Sequence, residues 1–350
     1  MRWYEIVITD PAQPSAAPQV YASWVNGKND PGALNVNFDF NVVPYSLPRG
    51  ASVVEIWGIP LHSISWATNL VFKNVRISAG FKPGLPLATA AAANQAGPLI
   101  TGFILQSFGN WIGNNMTLNL VIAAGSAPVS TPVAATAGQQ PAAASEAATP
   151  PMGAPALPVN LAFNMPAGMP MATAIQNTLL VGLPSFVPRV NIREIIAPQP
   201  IIFVSRSVGE LAQKVKQLSR NIIGGDYQGV EIAPPMGNAI AVYDDTTAAV
   251  VKQIAFRDLI GQPTWIEPFK IQFKCPMRAD LQVGDILRMP EGGYYGVMPS
   301  QANAPWNYRN QSAQKGKFLI QELRHVGNFR QPDANSWVSV ITCAALPAGA

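Results

Sequence analysis

Leu34-Asn35-Val36-Asn37-Phe38-Asp39-Phe40-Asn41-Val42 alternates apolar and polar residues without a break. Successive side chains of a strand point to opposite faces, so this stretch buries Leu34, Val36, Phe38, Phe40 and Val42. Asn35, Asn37, Asp39 and Asn41 then share the other face. Asn26-Gly27 and Asp30-Pro31-Gly32 precede it with turn chemistry. Working outward, residues 4–9, 53–59, 70–78, 102–107 and 116–123 read as further strands, most of them separated by Gly, Pro or Asn. Many short strands with glycine-rich turns predict a barrel or sandwich over residues 1–125.

The far end of the chain repeats the pattern. Lys270-Ile271-Gln272-Phe273-Lys274-Cys275 alternates strictly, residues 283–288 read as a turn entering a strand, and 318–323 and 337–343 complete a second β-rich region over 246–350. Between the two, residues 126–158 shift to Ala, Pro, Ser, Thr, Gly and Gln, with Glu146 the one charge. Such a segment has little bulky apolar matter to offset the entropy of ordering it, which predicts a linker or insertion.

Residues 159–245 read as a mixed α/β middle region. A short helix is expected over 171–180, with Ala172, Ile175 and Leu179 on one face. A longer one is expected over 208–221, with Ser207 as N-cap and Glu210 completing a capping box. Leu211, Val215, Leu218 and Ile222 form its apolar stripe, Lys214, Lys216 and Arg220 suit the C-terminal end of its dipole, and Gly224-Gly225 ends it. The expected fold class is therefore mainly β with a smaller α/β part.

Composition points to burial in an assembly. The 350 residues are 48% hydrophobic and only 12% charged, about half the usual charged share. No apolar run of about 18 residues is present, so membrane insertion is not expected, and Met1-Arg2-Trp3-Tyr4-Glu5 does not open like a secretory leader. Contact with partner subunits accounts for the low charge, because obligate interfaces are as apolar as a core cut in half. A monomer made neutral by Ala, Asn, Gln, Pro and Ser is the other account. The net charge of +4 is scattered, with no basic block to track a phosphate backbone.

The residues offer no recognisable reaction centre, and no catalytic, cofactor-binding or metal-binding residue is assigned. Cys275 and Cys343 lie in apolar, strand-like runs and read as buried free thiols. Two cysteines and two histidines at these spacings make no zinc site. His62 and His325 both fall in expected strands with no G-x-S-x-G nucleophile elbow nearby, and each reads as a structural histidine. Gly27-Lys28 and Gly316-Lys317 lack the rest of a phosphate-binding loop, and Gly292-Gly293 reads as a hairpin turn. A cell-wall hydrolase would need two carboxylates flanking a sugar, for which Asp244, Asp245, Asp258 and Glu267 are candidates.

Two blocks carry a family resemblance. One is Ser52-Val53-Val54-Glu55-Ile56-Trp57-Gly58-Ile59-Pro60 with Val75-Arg76-Ile77-Ser78-Ala79-Gly80-Phe81 and Gly84-Leu85-Pro86-Leu87. The other, more specific, is Phe256-Arg257-Asp258-Leu259-Ile260-Gly261-Gln262-Pro263-Thr264-Trp265-Ile266, continuing to Met277-Arg278-Ala279-Asp280-Leu281-Gln282-Val283-Gly284-Asp285. Both resemble the baseplate hub proteins of contractile-tailed phages that infect proteobacteria. Residues 126–158 do not belong to that pattern.

The resemblance implies a structural, non-enzymatic and cofactor-free homotrimer, located in the tail baseplate of the virion and made in the host bacterial cytoplasm. Each subunit would contribute two tail-tube-like β-barrel domains flanking the middle region, so that three subunits present six similar domains in a ring. The implied partners are the tail tube or a tube-initiator protein, the central spike and other baseplate proteins, with DNA passing through the ring without specific binding. The polar faces headed by Asn35, Asn37, Asp39 and Asn41 would line that channel or face solvent. Within the blocks, Trp57 and Trp265 are candidates for subunit contacts or ordinary core aromatics. Asp258, Arg278 and Asp280 are candidates for an ion pair at a barrel corner, worth roughly 0–1 kcal/mol if exposed. The alternatives are a tail-associated peptidoglycan hydrolase built on the acidic residues and the hub of a related contractile injection system.

Overall fold

The structure is a computed structural model and describes residues 1–47, 50, 52–85, 95–125, 160–245, 251–290 and 317–346. The Ala/Pro-rich stretch at 126–158, Gly292-Gly293, Gly316 and Pro86-Leu87 lie outside the described residues.

The N-terminal part contains β1 (Arg2–Thr9), β2 (Gln19–Ala22), β3 (Trp24–Val25), β4 (Lys28–Asn29), β5 (Asn35–Val42), β6 (Ser52–Trp57), helix α1 (Leu61–Ser65), β7 (Asn74–Phe81), β8 (Gly97–Ile112) and β9 (Asn115–Ala124). In the order β5-β6-β9-β8-β7-β1-β2 every neighbouring pair is antiparallel. Strand β5 buries every second residue as its alternation requires. Asn26 and Gly27 both take positive φ, 51° and 76°, in the two-residue turn that joins β3 to β4.

Two N-terminal expectations are corrected. Residues 70–78 are not one strand: a 3-10 helix spans Ala67–Leu70, and Phe72 at φ 64° turns the chain before β7 begins at Asn74. His62 lies in α1 rather than in a strand, because Gly58 at φ 83° stops β6 and Pro60 fixes the φ that starts a helix.

The middle region follows with β10 (Leu161–Met165), α2 (Met171–Gly182), β11 (Val187–Asn191), β12 (Ile201–Ser205), α3 (Val208–Ile223), β13 (Glu231–Ile232) and β14 (Ala239–Tyr243). Strand β10 pairs with β12, while β14 pairs parallel to β11 and antiparallel to β13. Ser207 caps α3 as expected, with Glu210 N donating to its Oγ at 3.1 Å, but the Glu210 carboxylate accepts from Arg206 N at 2.7 Å rather than from Ser207 N, so the reciprocal half of the capping box is not made. The buried face of α2 is Met171, Ala174, Ile175, Thr178 and Leu179. Ala172 sits beside that face, half-buried, because the Met171–Ile175–Leu179 row takes the centre of the contact.

The C-terminal part supplies β15 (Val251–Gln253), β16 (Thr264–Glu267), β17 (Lys270–Pro276), β18 (Ile286–Arg288), β19 (Lys317–Asn328) and β20 (Trp337–Ala345). Its strands do not form a separate sheet. The first residues of β19 pair with β18, and after a bulge between Ile320 and Glu322 its last residues pair with β5 along Leu323–Asn328. One sheet of 13 strands therefore runs through both β-rich ends of the chain. The class is mainly β with a smaller α/β part, as the periodicities predict.

Three cores sit against this framework, and each takes residues from elsewhere. The first is N-terminal, with Ile6, Phe38, Ile56, Ile77 and Leu120, and includes Met277 and Trp337. The second is C-terminal, with Trp265, Phe273, Leu287, Phe318 and Ile341, and includes Val42. The third fills the middle region around Phe163, Ile175, Leu211 and Val242, and includes Tyr45. The turn between β19 and β20 is strapped to the N-terminal part. Arg2 donates to the carbonyls of Asn328 at 2.8 Å and Asp333 at 2.9 Å, and Trp337 Nε1 donates to Gly80 O at 2.9 Å. Gly80 has φ +146°, and a Cβ there would lie 2.2 Å from Gln95 O, so this approach requires glycine.

Candidate functional site

The polar face of β5 is the largest feature that the periodicity nominated, and register shows what surrounds it. Asn37 stands in line with Glu55 on β6, Asn119 on β9 and Phe108 on β8. Asn35 lines up with Trp57, Thr117 and Asn110. On the other side Asn41 lines up with Arg324 on β19, Val340 on β20 and Lys274 on β17. The face thus continues across the β19–β5 junction into the C-terminal strands.

Its charges are mixed and partly paired. Arg324 grips Asp39 with two hydrogen bonds, Nε to Oδ1 at 2.8 Å and Nη2 to Oδ2 at 2.5 Å. Hydrogen bonding to Asp39 raises the Arg324 pKa above its ordinary value. Asn37 Nδ2 donates to Glu55 Oε2 at 3.3 Å, and Gln272 Nε2 donates to Thr342 Oγ1 at 3.3 Å. Among the described residues of this face, Lys274 and Arg324 are set among Asp39, Glu55 and Glu322.

The candidate acids are distributed over different elements. Asp244 follows β14 and is buried; it accepts from Tyr227 Oη at 2.9 Å and from Arg193 N at 2.9 Å, tying three segments of the middle region together. The Arg193 guanidinium lies 5.0 Å from the Tyr227 ring centre. Burial, then Asp244, pushes the Tyr227 hydroxyl well above its ordinary value, and burial raises the Asp245 carboxyl. Asp258 is buried in a 3-10 helix (Phe256–Asp258), where its Oδ2 accepts from Ala255 N at 3.0 Å. Glu267 ends β16 in an exposed pair with Lys270 at 2.7 Å.

Register also assembles a buried group that spacing did not reveal. Cys275, Ser339 and His325 stand side by side on β17, β20 and β19. Ser339 Oγ lies 2.9 Å from His325 Nδ1, and both residues are 0% exposed. A serine beside a histidine is a nucleophile's arrangement, but these two have no surface through which a substrate could reach them. Burial pushes the His325 pKa down to about 4 and the Cys275 thiol up to about 12, so neither a charged imidazole nor a thiolate forms near neutral pH. Cys343 is likewise free and buried.

Close by, Arg278 Nε donates to Asp280 Oδ1 at 2.6 Å and Nη2 contacts Oδ2 at 2.5 Å. The Arg278 side chain is 1% exposed, so the exposed-pair value does not apply. Burial opposes its charge, and Asp280 more than offsets that, holding the guanidinium above its ordinary value. Trp265 is a core residue at 2% exposure, packed near Phe318, whereas Trp57 is half-buried on the polar face. His62 is exposed, with Ser63 Oγ 3.3 Å from its Nε2. Among the described residues no group of three or more His, Cys, Asp and Glu is placed to hold a metal ion, and no helix is long and apolar enough to cross a membrane.

No family model and no curated protein matches the chain. Among solved structures it is similar to the tail protein from Neisseria meningitidis MC58, at 9% identity and a TM-score of 0.47, over 97% of this chain and 96% of that one. It is similar to the 43 kDa tail protein of prophage MuSo2 from Shewanella oneidensis at 9% identity and a TM-score of 0.46, with the same coverage of 97% and 96%. At these values the likeness decides nothing about function.

Proposed function

We propose that this chain is a structural subunit of a phage tail, a baseplate hub that assembles as a homotrimeric ring. The observation that carries the reading is the junction of β19 with β5, which merges both β-rich ends into one sheet with one shared polar face. A subunit built this way presents two β-rich portions side by side, and three copies around an axis present six. That arrangement adapts six-fold tube rings on one side to a three-fold spike on the other. The mixed, partly paired charges of the face suit a lumen through which DNA passes without sticking. The blocks that resemble hub proteins fall on β6, on β7 and on the segment from the 3-10 helix at 256–258 through the Arg278–Asp280 pair.

The test is the solution mass of the purified chain by light scattering, with electron-microscope images of the same sample. Three subunits of 37.3 kDa around an open centre is the expected result. A lone chain at every concentration, both alone and mixed with tube and spike proteins, would sink the ring.

A further inference from the structure

Between the edge strand β2 and helix α1 lies a small cleft lined by Gln19 on β2, His62 and Ser63 on α1, and Trp66 and Leu70 beyond it. It encloses about 220 Å³. Local structure puts the tryptophan there. Trp66 ends α1 and caps the 3-10 helix Ala67–Leu70, so it sits at the joint of two short helices. Its neighbours Ala67 and Leu70 enter the N-terminal core, while Trp66 stays 67% exposed. Helix α1 lies on the side of the sheet opposite the polar face. Gly109 stands beside buried Leu118, and a Cβ there would lie 2.1 Å from Ile64 Cγ2 of α1. Phe108, which points the other way, stands beside Asn119.

The fold leaves most of the polar capacity of this cleft unused. Gln19 Nε2 donates to the neighbouring Tyr21 Oη, which keeps the amide oxygen as an acceptor. Ser63 Oγ lies 3.3 Å from His62 Nε2. Among the described residues no further hydrogen bond engages either side chain, and none engages Trp66 Nε1. The surroundings are neutral as well. No Lys, Arg, Asp or Glu occurs in 11–27 or in 56–72, and Lys73, the next charge along the chain, is paired with Asp10 at 3.4 Å.

We propose that this cleft binds one ring of a neutral glycan. A charged ligand finds no opposite charge in it to replace its hydration. A wholly apolar ligand would cover Gln19, Ser63 and His62 without replacing their bonds to water, which is costly. A pyranose meets both demands. Its C–H face is apolar and stacks on the electron-rich face of the Trp66 indole. Its hydroxyls donate and accept at once, and so match the Gln19 amide, the Ser63 hydroxyl and the His62 imidazole. Size sets the number of rings. Pockets for drug-sized ligands run roughly 300–1,000 Å³, so a cleft of about 220 Å³ takes a single sugar and leaves the rest of the glycan in solvent. Every lining residue belongs to one chain, so binding does not require the ring.

The test applies the full chain to an array of neutral hexose, N-acetylhexosamine, uronate and sulfated glycans. The glycans it retains are then titrated by calorimetry into the wild type, Trp66→Ala and Trp66→Tyr. Neutral glycans are expected to bind. Trp66→Ala removes the stacking surface and should weaken them by roughly tenfold, whereas Trp66→Tyr keeps a ring and should stay within roughly threefold of the wild type. Trp66 is exposed, so neither change disturbs the core. Retention of N-acetylglucosamine glycans assigns the cleft to cell-wall sugars, and retention of neutral hexose glycans assigns it to a surface polysaccharide; either supports the site. Binding that Trp66→Ala leaves unchanged overturns it. So does an array on which no neutral glycan is retained, or one on which only uronates or sulfated sugars are. Flotation of the wild type, but not of Trp66→Ala, with phosphatidylcholine vesicles gives the tryptophan to lipid and overturns the glycan. A monomeric chain that still binds neutral sugar through Trp66 removes the ring and keeps the cleft.

Discussion

The N-terminal and C-terminal strands belong to one sheet, yet they treat charge in opposite ways. Among the described residues of 1–125 no Lys, Arg, Asp, Glu or His is buried; the buried polar groups are hydroxyls and one amide. The C-terminal part buries Asp258, Arg278 and His325. The N-terminal core is closed from outside by backbone-directed bonds, Arg2 on the β19–β20 turn and Trp337 on Gly80. The C-terminal core is held partly from inside by paired charge. Strand alternation is the same in both, so periodicity alone fixes which residues face inward and not how the ends are locked.

The largest expected effect comes from breaking the internal lock. Asp280→Ala leaves the Arg278 guanidinium buried without its carboxylate, and a loss of about 3–5 kcal/mol is expected in urea unfolding. If charge burial is the cause, Arg278→Met in the same chain should restore most of the loss. Failure of that rescue would mean that Asp280 matters through its backbone turn, and the contrast between the two ends would dissolve.

A smaller effect reads the same contrast through pH. Burial holds the His325 pKa at about 4 against an ordinary 6.5. The unfolded chain therefore takes up a proton below pH 6.5 that the folded chain refuses until about pH 4. Stability from this neutral histidine is complete above 6.5 and falls as pH drops through that window, by about 1.4 kcal/mol for each pH unit crossed. Replacing His325 with Gln should flatten the slope between pH 6.5 and 4 in a series of unfolding curves. An unchanged slope would transfer it to the carboxylates.

Much of this frame is legible in the residues. Strands β5 and β17 follow from strict alternation, because each has one buried face, and α3 follows from Ser207 and Glu210 with an apolar stripe behind them. The length of β8 is not legible: residues 102–107 read as the strand, which in the structure spans Gly97–Ile112. Within it, Gly102 and Gly109 are places where backbone or Ile64 comes too close for a side chain. The Ser339–His325 contact and the Asp39–Arg324 pair depend on register between strands, and the second joins residues 285 positions apart. Local pattern cannot supply such long-range register; it is set by which edges meet.

That last pair tests the junction itself. Asp39 and Arg324 lie diagonally across β5 and β19, where the two ends of the chain join, with side chains 47% and 53% exposed. Water and salt screen them, so a double-mutant cycle with Asp39→Asn and Arg324→Gln should return only about 0–1 kcal/mol, decreasing as salt is added. The junction would then rest on its backbone bonds and on the packing of Phe38, Phe40 and Leu323 beneath the strands. A coupling well above about 1 kcal/mol that persists in high salt would show instead that the pair is shielded in solution. A surface that covers this strand face and excludes water would shield it that way, because only a pair removed from solvent escapes screening.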